Sequence, residues 1–175
     1  MPKRKSVYFN KSSGGKGKYR TGEYYSIKNK AGFIYRSAYE YAFFEKLEAH
    51  QDVVQFISEP FFIPYRDSKG KSRSYKPDLI ILYKDGSIDI VEIKPKTMLA
   101  NPDVQCKAAG CRAFIKIQRM NATYHFITEE DIFANLKEYQ EVLKRIWAQW
   151  ISCQVCLIII ALYLLTLKLV AEMPL

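Results

Sequence analysis

The chain has 175 residues, with 27 Lys or Arg against 18 Asp or Glu and a formal net charge of +9. That length accommodates one domain with a tail and an adequate core, and the basic balance favours a polyanionic partner without specifying a fold. Cys106, Cys111, Cys153 and Cys156 do not form the framework of a secreted disulfide scaffold. With no secretory signal at the start, they read as reduced thiols of a cytosolic protein. Cys153-x-x-Cys156 has metal or redox spacing, but it lies in an apolar run with no second pair near it.

Residues 1–33 are polar, basic and glycine-bearing, and read as a flexible arm with a short ordered part around Tyr24 and Tyr25. Lys16, Lys18 and Arg20 in this arm are candidate nucleic-acid contacts; a solvated, disordered terminus is the alternative. Ser37 followed by Glu40 matches a capping box, and the spacing of Tyr41, Phe44 and Leu47 predicts a helix to about Ala49. Val53–Ile57 and Phe61–Tyr65 are short β-prone runs, and Asp67-Ser68-Lys69-Gly70 reads as a turn. Tyr75–Tyr83 and Ser87–Ile93 form a hairpin around Asp85-Gly86, with apolar neighbours on both faces. Asn101-Pro102 opens a helix reaching Arg119, weakened at Gly110. Thr123–Ile127 is a strand, and Thr128 caps a last helix to about Arg145.

These elements make an α/β layer with a mixed sheet: an arm at 1–33, a core at 34–145 and an apolar tail at 146–175. Residues 146–167 contain no charge, long enough as a helix to cross a bilayer core of roughly 30 Å. Lys137, Lys144 and Arg145 just before it would keep the preceding chain cytoplasmic. Three readings of this C-terminal hydrophobic helix stand open: a membrane anchor, a buried or oligomer-contacting helix, and an aberrant end.

Chemistry concentrates between Tyr75 and Lys96. The hairpin returns the chain so that Asp78 and Glu92 reach one edge of the sheet. Glu92 and Lys94 are two apart on a strand and project to the same face. Clustered carboxylates suit magnesium, and a neighbouring lysine can hold the attacking water. Glu40 adds a third carboxylate from a helix face that turns inward, where a charge needs a partner. A plain salt bridge between Asp78 and Lys94 is the competing reading. His50 and His125 are isolated. Tyr24, Tyr25, Tyr35, Tyr39 and Tyr41 could stack on nucleic acid, although packing suits the last three better. No phosphate-cradling glycine loop or Ser-His-Asp arrangement is visible.

The motifs Tyr35-Arg36-Ser37-Ala38-Tyr39-Glu40, Glu59-Pro60-Phe61-Phe62-Ile63-Pro64-Tyr65, Tyr75-Lys76-Pro77-Asp78 and Val91-Glu92-Ile93-Lys94-Pro95-Lys96 resemble the PD-(D/E)xK nuclease superfamily. Within it, the chain resembles TnsA-like transposon endonucleases and the head completion nucleases of tailed phages over residues 16–133. The resemblance implies a restriction-endonuclease-like core and magnesium-dependent hydrolysis of DNA, with manganese as a substitute. It implies Glu40, Asp78, Glu92 and the Ile93 carbonyl as metal ligands, Lys94 as the catalytic lysine, and Arg36, Lys96 and Lys107 as phosphate contacts. The implied setting is DNA-end processing in phage head assembly, in the host cytoplasm or virion beside head or neck proteins. Transposon-end cleavage beside a transposase subunit is one alternative, and an inactive DNA-binding module of the same fold is another. The apolar tail departs from the family pattern.

Overall fold

A computed structural model describes residues 21–135, 137–149 and 151–152. The described residues through 135 form one compact unit, and those from 137 onward fall in a second.

In the first unit a four-stranded sheet has the order β3-β6-β7-β8, formed by Val53–Ser58, Leu79–Tyr83, Ile88–Ile93 and Ala122–Ile127. The β3–β6 and β6–β7 pairs are antiparallel and β7–β8 is parallel, so the sheet is mixed, as expected. The parallel pair needs a crossover, which helix α2 (Pro102–Ile117) supplies. The β6–β7 turn has Gly86 at φ 81°, a left-handed conformation that glycine adopts without a Cβ penalty. Asp85 Oδ1 accepts from the Ser87 amide at 2.9 Å and fixes that turn.

Ser37 caps helix α1 (Ala38–Ala49) by accepting from the Glu40 amide at 3.1 Å. Its buried residues include Tyr41, Ala42, Phe43, Phe44 and Leu47. Phe44 packs against Phe56 of β3 with ring centres 5.9 Å apart, which joins the helix to the sheet.

A flexible arm is expected over 1–33, but residues 22–26 and 31–35 are strands; Lys16, Lys18 and Arg20 lie outside the described residues. Strands β1 (Gly22–Ser26) and β2 (Ala31–Tyr35) pair antiparallel. Their ordering has a physical cause in alternation, with Tyr24, Ser26, Phe33 and Tyr35 more buried than Tyr25 and Ile34. Tyr24 meets Tyr41 and Phe44 edge-on, and Phe33 meets Phe44 and Phe56. Ser26 Oγ donates to Glu48 Oε2 at 2.7 Å, tying the hairpin to α1. Tyr24, Tyr35 and Tyr41 are thus packing residues.

The expected strand from Tyr75 through Tyr83 is two strands. β5 (Ser72–Tyr75) pairs with β4 (Ile63–Arg66), and β6 begins only at Leu79. Pro77 has no amide to donate, so the ladder breaks there and Asp78 stands at the junction. The β4–β5 hairpin turns at the predicted Asp67–Gly70, where the Gly70 amide donates to the Asp67 carbonyl at 2.8 Å. It packs on α2 around Ile63, Tyr75, Ala108 and Cys111.

The last predicted helix is also interrupted. Helix α3 spans only Glu129–Ile132, behind a Thr128–Asp131 capping box, and Phe133 is extended. Phe133 is buried and meets Tyr39 edge-on at 5.6 Å, so packing takes precedence over helix continuation. In the second unit residues 137–149 are helical. Most of the expected hydrophobic helix over 146–167 lies outside the described residues. Among those described, no helix is long and apolar enough to cross a membrane. Cys106 and Cys111 are free thiols, and the Cys153-x-x-Cys156 pair lies outside the described residues.

Candidate active site

Antiparallel register pairs Leu79 with Val91. Extending it one step sets Asp78 opposite Glu92, on the same face. Lys94, two residues further along, reaches back between them. Its Nζ lies 3.1 Å from Asp78 Oδ2, 3.0 Å from Glu92 Oε1 and 3.1 Å from the Ile93 carbonyl. Asp78 Oδ2 also accepts from the Ile93 amide at 2.7 Å. The simple Asp78–Lys94 salt bridge is present, but as one side of a three-oxygen cradle around a cation.

Glu92 is the buried member, only 3% exposed. Burial pushes its carboxyl up from the ordinary carboxylate range, and Asp78 pushes the same way, while Lys94 and Lys107 oppose them. Burial works against the Lys94 ammonium, yet Asp78 and Glu92 outweigh it and leave the group raised. The Glu92 side faces the α2 layer, where Tyr75, Cys111 and Tyr124 all respond to its charge. Sequence reasoning missed these three. The signal was faint: an alternating tyrosine on β8 and an apolar cysteine on the crossover helix.

Glu40 is held differently. Its Oε2 accepts from the Arg36 amide at 2.8 Å and its Oε1 from Ser37 Oγ at 3.0 Å, so the carboxylate serves the start of α1. It still lies within electrostatic reach of the other members. Burial raises its pKa, the Arg36 and Ser37 bonds and Lys94 lower it, and Asp78 raises it. Among the described residues no three Asp, Glu, His or Cys side chains stand together as a ligand group. Asp78, Glu92, Ile93 and Lys94 are therefore gathered, with Glu40 at their margin.

Among the expected phosphate contacts, Lys107 Nζ lies over the Tyr75 ring at 5.5 Å, near Glu92. Arg36 pairs with Glu59. Lys96 turns to α3, where Glu130 takes its ammonium at 2.8 Å. His125 pairs with Asp89 at 3.2 Å and His50 accepts from the Asp52 amide at 3.2 Å, so neither joins the cluster.

The donor set fits a hard divalent cation. Two carboxylates and a backbone carbonyl already converge on one positive charge, and Glu92 Oε2 is buried with no hydrogen-bond partner among the described residues. An orphaned carboxylate oxygen carries a desolvation cost that such a cation would relieve.

A mixed α/β sheet carrying two acids and a lysine at the ends of adjacent strands is the arrangement expected of a phosphodiester-cleaving enzyme. Residues 50–129 match the family described as TnsA-like endonuclease N terminal. The chain is also 33% identical over 98 residues to the head completion nuclease of Enterobacteria phage T4, a match covering 55% of this chain and 63% of that protein. The expected resemblance to TnsA-like endonucleases and phage head completion nucleases is borne out over these residues.

Proposed function

We propose that this protein is a metal-dependent DNA endonuclease of the PD-(D/E)xK type, hydrolysing phosphodiester bonds with magnesium or, in its place, manganese. The observation that carries the reading is the Lys94 ammonium held by Asp78, Glu92 and the Ile93 carbonyl, beside a Glu92 oxygen with no hydrogen-bond partner among the described residues. Asp78, Glu92 and the Ile93 carbonyl would hold the metal, with Glu40 completing the set from α1. When bound, the metal supplies charge neutralisation at the phosphate and a lowered pKa for an attacking water.

The chain's own groups do the rest. Lys94, freed from its double ion pair, orients the water and offsets charge growing on the phosphate oxygens. Asp78, fixed by the Ile93 amide, presents one oxygen toward the scissile group. The buried side of Glu92 excludes water from behind the site, which strengthens each charge interaction in front of it. Lys107 and Arg36 would hold flanking phosphates.

Likeness to the head completion nuclease favours processing of DNA ends during virion assembly, in the host cytoplasm or the particle, with head or neck proteins as partners. The match to the TnsA-like family supports a second reading, cleavage at transposon ends alongside a transposase subunit. An inactive DNA-binding module is disfavoured by the cluster itself, since buried acids beside a polyanion weaken binding. Cleavage of linear, nicked and branched DNA should require magnesium or manganese and stop with chelator. Asp78→Ala should abolish it, by at least about 10²-fold as expected for loss of a transition-state electrostatic contact, while DNA binding stays intact or tightens. Equal cleavage by the variant defeats the assignment.

A further inference from the structure

Beside the acidic cluster stands an aromatic residue that the core does not use. Phe62 is 65% exposed, although its neighbour Phe61 stacks on Phe114 of α2 at 5.6 Å. The β4–β5 register ends with Ile63 paired to Tyr75, so Phe62 and Lys76 are the residues just beyond that end, one on each chain. Lys76 Nζ lies over the Phe62 ring, 5.0 Å from its centre. The same ammonium is 3.9 Å from Glu59 Oε2, and the other Glu59 oxygen holds Arg36.

This group is joined to the catalytic residues by main chain. The Glu59 amide donates to the Asp78 carbonyl at 3.1 Å, and Glu59 itself sits at φ 49°, a left-handed backbone that a non-glycine residue adopts only when its surroundings hold it. Lys76 is two residues before Asp78, and the Arg36 amide donates to Glu40. One exposed ring with two cations is therefore placed at fixed distance from Asp78 and Glu40.

We infer that Phe62, Lys76 and Arg36 form a stacking platform for an unpaired nucleobase next to the scissile phosphate. The inference rests on the nuclease reading and adds the substrate class to it. A base inside a duplex has both faces covered by its neighbours, so only one freed at an end, flap or fork can lie on the Phe62 ring. Lys76 would add cation–π attraction at the ring and, with Arg36, charge for the adjoining phosphates. Glu59 holds both cations, one on each carboxylate oxygen.

The test uses the full chain with calcium in place of magnesium, and two probes: a duplex with a short unpaired flap carrying 2-aminopurine, and the same duplex fully paired. Wild type should bind the flap probe on the order of tenfold more tightly and quench its fluorescence, the scale expected of one base–aromatic stack. Phe62→Ala should lose that preference and the quench while binding the paired duplex within about twofold of wild type. Phe62→Trp should keep both. An unchanged preference in Phe62→Ala, or equal weakening on both probes, overturns the platform. Magnesium assays separate the two claims. Cleavage of both probes at the same rate without quenching sinks the platform and leaves the nuclease reading standing. Flap-selective quenching without cleavage does the reverse, and no binding to either probe sinks both.

Discussion

Lys94 keeps two carboxylates at the end of one strand pair from facing each other unscreened. Its side chain is about a quarter exposed, whereas that of Glu92 is almost fully buried, so the interaction is stronger than a surface ion pair. Lys94→Met should therefore destabilise the protein in chelator by about 2 kcal/mol, the scale for leaving a buried charged group without its partner. Divalent cation should then raise the unfolding midpoint of the variant more than that of wild type, because the cradle oxygens gain a replacement charge. Thermal unfolding with and without magnesium reads this; a variant as stable as wild type in chelator would refute it. At this scale the sequence was legible for Asp78, Glu92 and Lys94, because strand periodicity and a hairpin suffice to bring them together. Glu40 was harder: its inward face follows from helical spacing, but its engagement by Arg36 and Ser37 depends on local competition between a cap and the cluster. The Tyr75–Cys111–Tyr124 layer behind Glu92 was not legible, since it comes from elements that meet only in three dimensions.

Helix α2 and the β4–β5 hairpin are locked by a single glycine. Helix propensity alone favours Ala over Gly by about 1 kcal/mol, which is why Gly110 weakens the helical signal of this segment. A Cβ at Gly110 would stand 2.5 Å from Tyr65 Cβ and 3.2 Å from the Pro64 carbonyl oxygen, in a strand that cannot rotate away. Gly110→Ala should therefore lower stability by about 1–3 kcal/mol, the range for overpacking, with steric cost outweighing propensity. A variant with an unchanged or higher midpoint would show that the layers can separate at no cost. Other boundaries shifted for related reasons. The β1–β2 hairpin looked like a loose arm because its basic, glycine-bearing sequence is ordered by contacts with Phe44 and Phe56, more than 10 residues away. Helix α3 stops because Phe133 is buried in an extended conformation, although the Thr128 cap expected from sequence is present.

For the whole molecule, two electrostatic effects compete as pH rises. A net charge of +9 at neutral pH repels itself in the compact state, and its loss in alkali should stabilise the fold. Buried weak acids act the other way. Burial pushes the Cys111 thiol up from 9.0 to about 11, and burial likewise raises Tyr24, Tyr75 and Tyr124. Each holds its proton more tightly folded than unfolded. Their contribution is therefore complete below the unfolded pKa and disappears as pH climbs through the folded one. For Cys111 alone, a shift from 9.0 to about 11 corresponds to about 3 kcal/mol at its upper limit. Self-repulsion acts over exposed surface and is screened within roughly 4–5 Å at about 0.5 M salt, whereas the buried groups are not. The buried term should win, so denaturant unfolding in high salt should show stability falling by about 1–3 kcal/mol between roughly pH 8.5 and 10.5. Cys111→Ala should make that slope shallower, whatever it does to the absolute value. A flat profile in wild type would mean that the α2 layer admits water and that Glu92 is not sealed from behind.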